Sequence, residues 1–508
     1  MFEVYIHVPF CYRRCGYCDF NTYTAVDMGG GASRGNYANL AIGEMRLVRA
    51  WQERHGIDEP AASTVFFGGG TPTLLPAEDL GRMLQAVRET WGIQDGAEVT
   101  TEANPDTVDE RYLETLAAAG FTRVSFGMQS AVPHVLKTLD RTHTPANVVA
   151  GVRAANKVGL RSSVDLIYGA PGESMDDWRT SVETAIELGV NHISAYALTV
   201  EPTTKMGRQI KAGQIAKPDD DDEAAKYELA DDLFSQAGLQ WYEISNWARP
   251  GYESRHNLGY WRNVDWAGIG PGAHSHYRTS NVGAWQEHAD GGARDVDENG
   301  FRKTGLSQAG NDGPAMGADS GTSLAGVESY GVEAEIDDRT SDGSHGDCIR
   351  QNKRSHDIAG EDESSDIGTP SSGNVSGVAG SGLGDCVDNE TGGRSDDNQF
   401  GIRAWDIAHP RKWAEAMAAG AVPWAGSEAI THGENLEETV MLGLRLHEGL
   451  DISRVEQASG RAVDGARLAG IERDGLIEIR DGGRIVPTRQ GRLLNDTVIA
   501  EVLDICGW

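Results

Sequence analysis

From Val4 to Ala197 the chain alternates short β-rich runs with stretches of helical pattern. The runs are Val4–Val8, Thr64–Phe67, Glu98–Glu102, Arg123–Gly127, Arg161–Ile167 and His192–Ala197. Such alternation predicts an α/β fold with a parallel sheet and crossover helices. Six units, each strand followed by polar or glycine residues, predict an open, partial (β/α)6 barrel of TIM type. In such barrels the C-terminal ends of the strands carry the chemistry.

A second pattern begins late in the chain. Asn435, with Glu438 three residues on, predicts a capping box for a helix running through Val440, Met441, Leu444 and Leu446. Gly475–Ile479, the turn Asp481-Gly482-Gly483 and Arg484–Val486 predict a hairpin. With the preceding helices this gives a small α/β, winged-helix-like domain, read as a docking or lid module. Between the two patterns the composition changes. Gly291–Phe400 holds 22 Asp and Glu against 8 Lys and Arg, 21 of the 64 glycines and no tryptophan. Too little apolar surface is available there to offset chain entropy, which predicts a long disordered acidic insertion that the fold does not need. The expected divisions are 1–285, 286–400 and 401–508. Inside the insertion Cys348 and Cys386 sit in two short echoes, His-Gly-Asp-Cys and Leu-Gly-Asp-Cys. A metal or redox role for that pair stays open beside coincidence.

The net charge of -32 repels phosphate backbones and anionic membrane surfaces, so no nucleic-acid partner is expected. No run of eighteen apolar residues occurs, and MFEVYIHVPF lacks a basic, signal-like start. A cytoplasmic chain without a transmembrane segment is expected. Six cysteines are too few for a disulfide framework, and three fall within eight residues, which reads as metal binding.

That trio, Cys11-x3-Cys15-x2-Cys18, sets three soft thiolates on one loop directly after a strand. Three thiolates cap three corners of a 4Fe-4S cubane and leave the fourth iron open to a small chelating ligand. The plainer readings are a zinc site short of one ligand and three unligated thiols. Gly68-Gly69-Gly70-Thr71-Pro72-Thr73 follows the second run, where glycines let backbone approach a ligand.

With Tyr5-Ile-His-Val-Pro-Phe opening the cysteine motif, the chain resembles the radical-SAM superfamily, and within it the coproporphyrinogen-oxidase-like branch. The resemblance covers Phe2 to about Trp285 and resumes from about Gly401. It implies a radical-SAM barrel with a 4Fe-4S cluster on Cys11, Cys15 and Cys18, and S-adenosylmethionine at the open iron. It also implies S-adenosylmethionine contacts from Tyr5, Tyr17, Gly69, Gly70, Thr71, Glu102, Gln129, Arg141, Asp165 and Ala197. Strand-end carboxylates and amides suit ribose hydroxyls and an ammonium, and an arginine suits a carboxylate. Taken singly, each would serve as well in a salt bridge, a strand cap or packing.

Two features separate this chain from the oxygen-independent coproporphyrinogen III oxidases. Those carry a further cysteine two residues after the third, where Phe20 stands here, and an extension before the tyrosine that corresponds to Tyr5. Both departures resemble the HemW family, radical-SAM-like haem chaperones that pass haem to acceptor haemoproteins. His256-Asn257-Leu258-Gly259-Tyr260-Trp261 is similar to that family's His-Asn-x-x-Tyr-Trp haem motif. Histidine is a competent axial ligand and aromatic rings stack on porphyrin. In a helix His256 and Tyr260 share a face. Gly268–Ser275 reads equally as an anion nest or a glycine-rich turn. Glu438–Leu446, followed by Gly449-Leu450, resembles the branch's C-terminal signature.

The resemblance thus implies a haem chaperone with three cofactors: a 4Fe-4S cluster, S-adenosylmethionine and haem. Its implied partners are acceptor haemoproteins, those of respiratory chains among them, and a second copy in a homodimer. The competing reading is an oxygen-independent coproporphyrinogen III oxidase that decarboxylates porphyrinogen propionates by radical chemistry. A radical-SAM enzyme with another substrate is the third.

Overall fold

The computed structural model describes residues 1–278 and 399–507. Apart from Gln399 and Phe400, the expected insertion at 286–400, with Cys348 and Cys386, lies outside the described residues.

Twelve strands form one sheet. They are β1 (Phe2–Val8), β2 (Ala62–Gly69), β3 (Ile93–Ala103), β4 (Arg123–Gln129), β5 (Arg161–Tyr168), β6 (His192–Ala197), β7 (Gln240–Glu243), β8 (Asn246–Ala248), β9 (Asp265–Ile269), β10 (His274–Arg278), β11 (Gln399–Asp406) and β12 (Trp424–Thr431). Their order is β12-β11-β10-β9-β1-β2-β3-β4-β5-β6-β8-β7. Successive members of β1 to β6 pair in parallel, as the alternation predicts, and β9 adds in parallel on the other side of β1. The remaining strands are antiparallel, and β12 and β7 stay at opposite edges, so the barrel is open.

The period of two along each strand sorts the side chains. On β1, Phe2, Val4, Ile6 and Val8 join Val65, Phe67, Val124, Phe126, Val164 and Leu166 in the core beneath the helices. Glu3, Tyr5 and His7 take the opposite, inner face, where Glu3 lies level with Thr64 of β2 and Trp266 of β9. The inner face is therefore polar where the outer is apolar.

β11 and β12, within the expected 401–508 segment, continue the barrel sheet, with Gly401 paired to Arg278. A separate core begins at Leu436 and includes Val440, Leu444, Val455, Ile485 and Val502. Beside it lies the sheet β13 (Leu450–Asp451), β15 (Arg484–Pro487) and β14 (Ile477–Arg480) in that order, and β14 and β15 form the predicted hairpin. The expected capping box needs correction. The helix is His432–Gly443, capped by Thr431 with Glu434 closing the box. Asn435 and Glu438 lie inside it and both face the amide of Asn263. Leu446 is past the helix end and bridges to Glu243.

The C-terminal module is tied to the barrel. The guanidinium of Arg262 forks onto Glu448 at 2.8 and 2.6 Å. Arg492 pairs with Asp231 at 2.9 Å beneath the Trp241 ring. Among the described residues no helix is long and apolar enough to cross a membrane.

Candidate functional site

The cysteine loop leaves the C-terminal end of β1 and is clasped by the loop after β2. Gly70 N donates to Val8 O at 2.8 Å and Thr71 N to Phe10 O at 2.7 Å. A Cβ on Gly70 would sit 2.6 Å from the Phe10 carbonyl, and one on Gly69, whose φ is +102°, would strike the His7 ring. These two glycines are thus required by close approach. All three thiols are free. Thr71 Oγ1 lies 3.8 Å from the Cys11 sulfur, Arg141 Nη1 lies 3.4 Å from that of Cys15, and Thr22 Oγ1 lies 4.0 Å from that of Cys18. Burial pushes the Cys11 thiol up to about 11 and raises that of Cys18. Among the described residues no three His, Cys, Asp or Glu side chains converge as for a single metal ion.

The other residues expected at this end gather around the loop. Glu102 accepts from Gly69 N at 3.2 Å. Burial, reinforced by the nearby Asp165 charge, pushes its carboxyl up to about 8. Asp165 accepts from Ser125 at 2.9 Å and Ser194 at 2.8 Å, and burial raises it too. Arg141 also donates to Asn104 Oδ1 and Gly127 O. Gln129 is held at φ +61°, a conformation that costs a non-glycine residue energy and is retained where surroundings impose it. Tyr17 packs against Val135, Leu139, Ile167 and Met206. Ala197 closes β6 opposite Tyr168 and brings only a methyl group and backbone.

Deeper on the inner face, Tyr5 links this end to the histidine of the second motif. Its hydroxyl lies 3.0 Å from His7 Nδ1, and its ring stacks on that of His256 with centroids 6.5 Å apart. His256 also stacks on Phe66 at 4.9 Å. Its Nδ1 lies 2.7 Å from Thr64 Oγ1 and 3.3 Å from Glu3 Oε2, and among the described residues nothing is hydrogen-bonded to Nε2. Only 13 % of the side chain is exposed, and burial lowers its pKa to about 3, so the imidazole is neutral.

The motif is the helix Arg255–Trp261, capped by Ser254, but its members part company. Asn257 reaches Ser254 and Glu243. Tyr260 packs on Trp261 and Trp266. Trp261 lies under the guanidinium of Arg445. The glycine loop is a turn whose amide does receive a carboxylate, the protein's own: Gly270 N donates to Glu44 Oε2 at 2.7 Å.

The comparisons follow the same division. Residues 5–185 match the model of the Radical SAM superfamily, and residues 430–494 match that of the HemN C-terminal domain. A Mycobacterium tuberculosis protein named "Heme chaperone HemW" is 35% identical over 503 residues, which is 99% of this chain and 95% of that protein. The chain belongs to the HemW family. A Bacillus subtilis HemW is 36% identical over 299 residues, 57% of this chain and 76% of its own length. Among solved structures, the coproporphyrinogen III oxidase HemN of Escherichia coli superposes with a TM-score of 0.63 at 18% identity, covering 99% of this chain and 89% of that one. That likeness reports the fold.

In this HemW-family chain Phe20 is 57% exposed. Sequence reasoning missed four residues of the site: Glu3, Thr64 and Phe66 around His256, and Asp140, which holds Arg13 of the cysteine loop at 2.6 Å. Glu3 and Thr64 sit in strands where a polar inward position was the only available signal. Asp140 adjoins Arg141 and has φ +57°.

Proposed function

We propose that this chain is a haem chaperone that holds a 4Fe-4S cluster on Cys11, Cys15 and Cys18, binds S-adenosylmethionine beside it and carries haem on His256. The observation that carries the haem assignment is the state of His256. Its ring is clamped by Phe66 and Tyr5, its Nδ1 is engaged, and its Nε2 is left for a ligand. Ligation needs an unprotonated imidazole, and burial keeps this one neutral. The full-length relationship to a protein named a heme chaperone supports the same reading.

The donor set suits the cluster. Three soft thiols on one loop match a cubane, whose corners lie farther apart than the ligands of one ion. Such a cluster, when bound, supplies an open iron for chelation and a one-electron reservoir. Arg141 offers positive charge to the Cys15 sulfur and to a carboxylate, as expected of a group that orients the methionine end. Glu102, Asp165 and Gln129 offer acceptors and an amide to ammonium and ribose hydroxyls, while Tyr17 and its apolar neighbours give a dry side to the adenine. Gly69, Gly70 and Thr71 supply backbone at close range, Tyr5 its hydroxyl end, and Ala197 a wall. Asn257, Tyr260 and Trp261 set the motif helix and its aromatic flank.

Residues 1–285 form the binding portion in this reading, and 401–508 add the sheet extension and the module against the motif helix. Acceptor haemoproteins, respiratory ones included, are the proposed receivers, and a homodimer the proposed assembly. Phe20 disfavours the oxidase reading.

The deciding experiment is anaerobic. The protein is reconstituted with iron and sulfide, then given S-adenosylmethionine, hemin and coproporphyrinogen III, and the Soret band and 5'-deoxyadenosine are followed. Stoichiometric hemin binding without decarboxylation, lost in His256→Ala, is expected. Decarboxylation coupled to 5'-deoxyadenosine would make the protein an oxidase.

A further inference from the structure

We infer that residues 445–448 form a strap that holds the motif helix against the inner face of the barrel sheet, and that haem reaches His256 only when the fork between Arg262 and Glu448 lets go. The inference rests on the haem reading of His256 and concerns contacts made by the other end of the motif helix.

The imidazole of His256 has a nitrogen to offer but is not open. Phe66 and Tyr5 cover its ring, and only 13 % of the side chain meets solvent. An axial ligand has to project clear of its surroundings, because the porphyrin plane lies across the end of the imidazole and extends well beyond it. The arrangement is therefore closed to a macrocycle, and the helix that carries His256 has to move before iron can reach it. Binding then draws on the fraction of molecules in which the helix is released.

The two ends of that helix are held differently. At its start Arg255 N and His256 N donate to the buried carboxyl group of Glu98 at 3.0 and 3.2 Å. At its end the ties run to the C-terminal module. Trp261 lies under Arg445, 5.6 Å from guanidinium carbon to ring centroid, and Arg262 forks onto Glu448 at 2.8 and 2.6 Å. Between those two residues the strap is pinned to β7, where Leu446 bridges to Glu243 and His447 N donates to Tyr242 O at 2.9 Å. The hairpin of β14 and β15 grips it as well: Arg480 donates to His447 O at 3.1 Å and Arg484 to Glu448 O at 3.2 Å. Four consecutive residues thus join motif helix, barrel and module. The fork is the tie most readily given up, because its side chains are 39% and 44% exposed, and an exposed ion pair adds little stability and is screened by salt.

The test uses the full chain with its cluster reconstituted, and hemin as the probe in stopped-flow mixing. Glu448→Gln and Arg262→Gln each break the fork at a half-exposed position, and unchanged iron-sulfur absorption checks that the fold is kept. Since the fork is already open in the bound state, either variant should raise the hemin association rate about two- to fivefold, leave dissociation unchanged and tighten binding by the same factor. The two substitutions change charge in opposite senses. Steering of the anionic propionates alone would speed Glu448→Gln and slow Arg262→Gln, and that result would overturn the strap. So would unchanged rates and affinities in both variants, with hemin lost in His256→Ala. Hemin bound equally well by His256→Ala would instead overturn the haem reading beneath it.

Discussion

Arg141 places Nη1 3.4 Å from the sulfur of Cys15 while its Nη2 donates to Asn104 Oδ1 at 2.6 Å and Gly127 O at 3.1 Å. The guanidinium is thus fixed by residues outside the cysteine loop, and it meets the loop with a set direction. Lysine cannot reproduce the fork. Arg141→Lys is expected to weaken S-adenosylmethionine binding tenfold or more, the scale of one charge-assisted hydrogen bond, about 1.5–3 kcal/mol. It should also change the electron paramagnetic resonance spectrum of the reduced cluster. Wild-type affinity together with a wild-type spectrum would remove Arg141 from the site.

In the proposed S-adenosylmethionine site Glu102 is expected to make binding proton-linked. Its carboxyl is pushed up to about 8 by burial and by Asp165, so it is mostly protonated near pH 7. A bound ammonium or sulfonium favours the ionised form and lowers that pKa, so binding releases a proton and affinity rises with pH until about pH 8. In the unliganded protein the sign is opposite. A raised folded-state pKa means the folded state holds a proton that the unfolded chain has given up, and stability falls as pH rises from about 4.5 to about 8. Glu102→Gln should flatten both dependences. Calorimetry in buffers of different ionisation enthalpy measures the proton release, and pH-dependent thermal melts measure the stability.

Much of this was legible in the sequence, for local reasons. Each of the six predicted runs is a strand, because the alternation of Phe2, Val4, Ile6 and Val8 with Glu3, Tyr5 and His7 is a short-range pattern. The cysteine spacing was equally local. What escaped prediction was assembled by long-range contact. Thr64 and His256 are 192 residues apart, and Glu44 reaches Gly270 across 226. The misplaced capping box was a competition between two local signals. Thr431 and Glu434 close the box, while Asn435 and Glu438 meet Asn263, a partner the sequence could not reveal.

Asp140 pins the cysteine loop by charge. It pairs with Arg13 at 2.6 Å and Lys205 at 2.8 Å, and its Oδ2 occupies the space a Cβ on Gly16 would need. Its φ of +57° is one that Asn tolerates, so Asp140→Asn removes charge without backbone strain. Both cations are half exposed, so global stability should change by about 1 kcal/mol or less. The effect should be local: alkylation of Cys15 in the cluster-free protein is expected to quicken several-fold while the melting temperature barely moves. Equal alkylation rates would show that the loop is held by its backbone bonds alone.

The described residues that flank 279–398 lie on one antiparallel strand pair, since Arg278 of β10 is registered with Gly401 of β11. Two antiparallel neighbours can be joined by a short hairpin turn. Replacing the segment with a Gly-containing turn therefore asks nothing of the surrounding sheet. Loop-closure entropy falls slowly with length, by about 0.6 kcal/mol per halving, so the shortened chain should gain up to about 3 kcal/mol. The expected outcome is a melting temperature equal to or above that of the full chain, with the iron-sulfur and hemin spectra retained. A lower melting temperature with both spectra intact would mean that the segment contributes contacts to the fold. Loss of the hemin band alone would place part of the haem site within it.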